Sequence, residues 1–224
     1  MIINIQTYFE KLKQSVYDKI SFEINEMTIN DVVMTDLVKS HIFEPKSASF
    51  QNYYFKTLNN EEYYYENQFF REFKMKYSLQ GIDNKFLDEL EKRKKNILND
   101  IRKESLAQLY FDNFNKAKIK HGDKIIEKNL GSFFSKLVHT FLPNDYCALD
   151  NPIKNYFELG NESFFISFFI ISSVYKQWAS DNKILIQEIK HKLKQADKQE
   201  IIKHEQLTDL KLLDLIFWSK ANRK

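Results

Sequence analysis

Residues 135–157 read SKLVHTFLPNDYCALDNPIKNYF, and the punctuation of this stretch decides the fold. A short helix opens on Ser135-Lys136. Pro143-Asn144-Asp145 stops it, because proline and its neighbours cannot continue helical hydrogen bonding. Tyr146-Cys147-Ala148-Leu149 is an apolar tetrapeptide and reads as extended and buried. It delivers Asp150 to the mouth of the next helix, where Asp-Asn-Pro is a strong start signal: a capping carboxylate with proline in the first turn. Two short helices joined by a polar loop and a buried extended segment belong in a helical protein, not a sheet.

Outward from this stretch the periodicity is helical on both sides. Ile5–Ile24 repeats apolar residues at Tyr8, Phe9, Leu12, Val16 and Ile20. Helices are expected at Asp31–His41, Lys46–Leu58 and Glu61–Leu79, with Gly81 as the C-cap of the last pair. Asn84–Lys118 reads as one long helical pattern with a break near Glu104-Ser105. Beyond Gly122 the elements shorten: Asp123–Lys128, Phe133–Phe141 and Pro152–Leu159, the last stopped by Gly160. Glu162–Ser180 is the apolar central helix. Lys183–Gln195 is amphipathic and basic, and Gln206–Ala221 carries a stripe of Leu207, Leu210, Leu213, Ile216 and Phe217.

Composition agrees. With 43% hydrophobic residues but only 4 glycines and 3 prolines in 224 residues, the chain is globular and poor in turns. This favours an all-α fold, a single domain that divides at most into two lobes near residues 1–121 and 122–224. The net charge of +3 permits a nucleic-acid partner without requiring one. One cysteine, Cys147, excludes a disulfide framework, a four-cysteine iron–sulfur site and a zinc site of the usual kind, so neither metal nor cofactor is expected. Nothing at Met1-Ile2-Ile3-Asn4 begins a signal peptide, and the apolar run Phe164–Tyr175 is too short to span a bilayer. The expectation is a cytoplasmic protein without a membrane partner.

Residues 130–157 resemble the helix–hairpin–helix superfamily of DNA glycosylases. Leu130-Gly131 stands where the hairpin would end and Ser135-Lys136 where the following helix carries the catalytic lysine. Tyr146-Cys147-Ala148-Leu149-Asp150 is similar to the segment that delivers the catalytic aspartate, and Asn151–Phe157 to the helix after it. The resemblance implies a two-lobed helical bundle acting on double-stranded DNA. It implies base excision with Lys136 as nucleophile and Asp150 as carboxylate, and phosphate or DNA contacts near Gly131, Ser135 and Lys154.

The chemistry needs those residue types. Breaking a glycosidic bond develops positive charge on the sugar, which a nearby carboxylate stabilises. A lysine is nucleophilic only when neutral, and apolar neighbours such as Phe133, Phe134, Leu137 and Val138 favour that form. Each residue also has a plain structural reading: Asp150 as a helix cap, Lys136 as a solvated helix lysine, His139 as a structural or surface histidine, Cys147 as a small buried hydrophobe. The basic runs Lys92–Lys95 and Lys190–Lys194 read as solvated helix faces, and the tyrosines around Tyr53 and Tyr63 as helix–helix core. The competing functional class is a catalytically inert helical module binding nucleic acid or protein, part of a prokaryotic defence or mobile-element system. An enzyme must place Lys136 and Asp150 in one cleft; an inert module need not.

Overall fold

The computed structural model describes residues 4–42, 44–121 and 124–223. Among the described residues it is mostly helical, with one antiparallel hairpin. Helix α1 (Ile5–Glu23) is capped by the Asn4 side chain and leads to a single turn, α2 (Ile29–Asp31), which runs on into a π-helical segment, Val32–Ile42. Helices α3 (Pro45–Thr57), α4 (Glu61–Tyr65), α5 (Phe69–Lys76), α6 (Asn84–Lys92), α7 (Lys94–Arg102) and α8 (Leu106–Asn113) follow. Strands β1 (Ala117–His121) and β2 (Lys124–Lys128) come next, then α9 (Gly131–Phe141), α10 (Asn151–Tyr156), α11 (Phe164–Asp181), α12 (Lys183–Ala196) and α13 (Asp209–Asn222).

Four expectations need correction. The run 61–79 is two helices, broken where Gln68 adopts a left-handed φ of 68°. The Glu91 carboxylate accepts the Phe70 amide at the new helix start, at 2.8 Å, and the turn lets Tyr64, Phe69 and Phe70 all bury. Gly81 is left-handed but lies beyond the helix end; Ser78, φ 51°, closes α5, with the Leu79 amide donating to Lys74 O. The pattern 84–118 breaks at Glu104 as expected but also at Arg93, and its helices end at Asn113, with Ala117 and Lys118 already in strand β1.

The segment expected as a helix at 123–128 is strand β2 in its described part, and Asp123 lies outside the described residues. It pairs with β1 in a register that sets Ile119 opposite Ile126 and Lys120 opposite Ile125. Branched isoleucines suit a pleated surface, and burial of Ile119 and Ala117 fixes which face turns inward.

Packing joins the two ends of the chain. Helix α1 lies on α11, and the π-helical segment on α13 and α12. These contacts tie elements of the first 121 residues to the helices that follow. One continuous apolar core runs from Val16 to Phe217. Its centre is α11, where Phe168, Ile171, Tyr175 and Trp178 are buried and the Trp178 indole donates to Ser21 Oγ at 2.9 Å. Among the described residues no helix is long and apolar enough to cross a membrane.

Candidate active site

The site is built from α9 and the unpaired segment after it. Asn129 accepts the Gly131 amide at 2.8 Å and so holds the first turn of α9. A Cβ on Gly131 would lie 2.3 Å from the Phe164 ring, so only glycine lets α9 start this close to α11. Inside α9, Lys136 donates to Ser132 Oγ at 2.8 Å, one turn back, and its ammonium lies 5.8 Å from the centre of the Tyr77 ring. Burial holds the Lys136 amine below the ordinary lysine range. Nearby Asp150 and Asp214 pull it up and Lys211 pushes it down.

Tyr146–Leu149 is extended without a sheet, so its backbone groups need other partners. Side chains supply them. Ser135 Oγ donates to Leu149 O at 2.7 Å, His139 Nδ1–H to Tyr146 O at 2.6 Å, and Ser172 Oγ accepts the Cys147 amide at 3.0 Å. Because Tyr146 O only accepts, the proton sits on Nδ1, and His139 Nε2 accepts from the Tyr54 hydroxyl at 2.9 Å. The ring is fully buried; burial first, and Lys211 second, depress its pKa to about 3, so it is neutral. This scaffold ends at Asp150, whose carboxylate caps α10 by accepting the Ile153 amide at 3.2 Å.

Lys136 and Asp150 open on one cleft of about 1650 Å³. Helix α13 contributes two further charges to its lining, Lys211 and Asp214, joined at 3.2 Å and both largely buried. Lys211 Nζ stands 4.8 Å from the centre of the Tyr54 ring and 5.8 Å from that of Phe50. Burial, with Asp150 adding to it, raises the Asp214 carboxyl to about 6, against the pull of Lys211 and Lys136. Two lysines and two aspartates thus share a partly apolar recess, where charges act strongly on one another.

The other residues picked from the sequence serve the structure around the cleft. Ser135 is fully buried and positions the site from behind, while close-packed Gly131 lies on the cleft lining where α9 starts. Lys154 borders the cleft, but its ammonium donates to Gly160 O at 3.2 Å and to Glu162 O, closing the loop after α10 rather than standing free for a phosphate. His139 is not a surface group. In the basic run, Lys92 pairs with Glu89 at 2.7 Å and Lys94, itself buried, with Glu91 at 2.6 Å. In the second run Lys190 pairs with Asp209 at 2.6 Å. The tyrosines around Tyr53 and Tyr63 are core, with Tyr65 exposed.

Lys211 and Asp214 were not anticipated. Their signal was present: a lysine and an aspartate three residues apart in Leu210–Phe217, a run buried on every side, have to face each other or a cavity. Among the described residues no cluster of three His, Cys, Asp or Glu could hold a metal ion. Comparison of the chain with protein-family models, curated proteins and solved structures gives no match.

Proposed function

We propose that the protein excises a base from DNA, with Lys136 as nucleophile and Asp150 as the carboxylate that assists it. The observation that carries this reading is the shared cleft: a lysine whose amine is depressed by burial and an aspartate held on a rigid segment open on the same recess. The volume is larger than an ordinary small-ligand pocket and suits a nucleotide with its flanking backbone. Lys39, Lys76 and Lys128 edge it.

The steps follow from the groups. A base must leave the stack to be reached. The neutral Lys136 amine attacks C1′ while the C1′–N bond breaks; the ammonium formed on Lys136 passes its proton to Asp150, which hands it on to the nitrogen of the departing base. Before that transfer the Asp150 carboxylate faces the positive charge building on the sugar and stabilises it. Opening of the sugar ring leaves an imine between Lys136 and C1′. Loss of a C2′ proton then expels the 3′ phosphate and cuts the strand, and water releases Lys136. A neutral amine is the requirement, and burial moves Lys136 toward that form.

The test is a panel of duplexes, each with one damaged or modified base, scored for base release and strand scission. Wild-type protein is expected to cut at least one. Asp150→Asn, which keeps the cap but loses the charge, is expected to abolish release. Full activity of Asp150→Asn on that duplex would contradict the proposed role.

A further inference from the structure

The hairpin has one closed edge and one open edge. On β1 the Lys120 amide donates outward to the carboxylate of Asp83, the N-cap of α6, at 2.5 Å, so Lys120 is not bonded across the ladder. In an antiparallel pair, residues directly opposite share that state, and it alternates along the strand. Ile125, opposite Lys120, and Glu127, opposite Lys118, therefore turn their N–H and C=O groups away from β1. Among the described residues no hydrogen bond satisfies these groups. The side chains here are uncovered as well: Ile125 is 74% exposed and Ile126 39%. Among the described residues Lys124 has no carboxylate partner, and Lys128 donates only to carbonyls, Gln80 O at 2.9 Å and Gly81 O at 3.4 Å. Lysines can guard an edge against other strands, but two exposed isoleucines between them work against that role.

We propose that the open edge of β2 binds an extended acidic segment of another protein as a third, antiparallel strand. The backbone of that segment satisfies Ile125 and Glu127, as in other cases of strand addition. Lys124, Ile126 and Lys128 share one face of β2, so the segment presents a carboxylate opposite each lysine and an apolar side chain between them. Two other occupants fit less well. A second copy that bonds through Ile125 and Glu127 must match one with the other. That register sets Lys124 opposite the copy's Lys128, where like charges repel. A DNA backbone offers acceptors to the lysines and amides but no donor for the two outward carbonyls. The partner site does not rest on base excision, although Lys128 places it at the edge of the cleft.

Fluorescence anisotropy tests it with a labelled peptide, Thr-Glu-Thr-Ile-Val-Glu-Thr, whose glutamates meet Lys128 and Lys124 when it lies antiparallel. One relative has lysines for the glutamates. A second is N-methylated at the central Thr and at Val, whose N–H groups face β2. A third is N-methylated at Ile, whose N–H faces away. Wild-type protein is expected to bind the parent and the Ile-methylated peptide within about twofold of each other, and the other two about tenfold more weakly or worse. Ile125→Pro removes an outward N–H and spares the ladder to β1, so it is expected to weaken the parent peptide by about tenfold at an unchanged urea midpoint. The peptide series uses wild-type protein and decides the matter even if that variant misfolds. No binding of the parent peptide, equal binding of the two N-methylated forms, or tighter binding of the lysine form would overturn the proposal. So would a dimer in sedimentation equilibrium that Ile125→Pro dissolves, which would give the edge to a second copy. A duplex that binds where no peptide does, and binds more weakly to Lys124→Glu, would give it to DNA and overturn the proposal equally.

Discussion

Asp150 does two jobs with one side chain, and substitution separates them. Asp150→Ala removes the cap on α10 and is expected to lower unfolding free energy by about 1 kcal/mol in urea titration. Asp150→Asn keeps the cap, so its stability should stay near wild type while base release is lost. His139 and Asp214 give a second prediction. The His139 pKa falls from its ordinary 6.5 to about 3 in the fold. The unfolded chain therefore binds the extra proton between those values, and stability is lost as pH falls through that window. Asp214 rises from 3.8 to about 6, so between pH 4 and 6 the folded chain binds the extra proton and acid is stabilising there. The two slopes oppose each other. Relative to wild type, Asp214→Asn is expected to make stability fall more steeply from pH 6 to pH 4, and His139→Gln to make it fall less or rise. Parallel pH profiles for the three proteins would contradict the assigned shifts. Asp150 and Cys147 could be read from the sequence because a helix cap and an apolar segment are local patterns. Asp214 could not, because its meaning depends on which helices turn a cavity toward it.

At the scale of elements, α9 and the extended segment behave as one unit. Ser135 ties α9 to Leu149 O, the carbonyl next to Asp150. Ser135→Ala would leave that buried carbonyl short of a partner, at roughly 1–3 kcal/mol, and free Asp150 to shift. The expected readout is a lower rate of base release at saturating substrate, together with a lower urea midpoint; an unchanged rate would show that the tether does not position Asp150. Helices α9 to α13 could be read from the sequence because proline, capping residues and a 3.6-residue apolar period agree there. The breaks at Gln68 and Arg93 could not: Gln68 is left-handed without being a glycine, and Arg93 turns the chain with no proline or glycine to mark it. The hairpin was hidden for a related reason. Lys118-Ile119-Lys120 and Lys124-Ile125-Ile126 are too short to separate a two-residue period from a helical one.

For the whole molecule, the joining of the chain ends is what shapes the cleft. Helix α13 reaches its place against the π-helical segment and brings Lys211 and Asp214 opposite α3 and α9. No sequence pattern announces that a terminal helix will close on the middle of the chain. The edge of the cleft gives a prediction at this scale. If Lys39 and Lys76 each hold a phosphate, DNA binding should weaken with salt, and Lys39→Ala should reduce the slope of log affinity against log salt by about 0.9. An unchanged slope would place the DNA elsewhere. The most direct test of the central claim is borohydride trapping. Wild-type protein, incubated with a duplex it cuts and then reduced, is expected to carry the DNA covalently on the peptide containing Lys136, while Lys136→Gln forms no adduct. Cutting with no adduct, or an adduct on a different lysine, would contradict the mechanism.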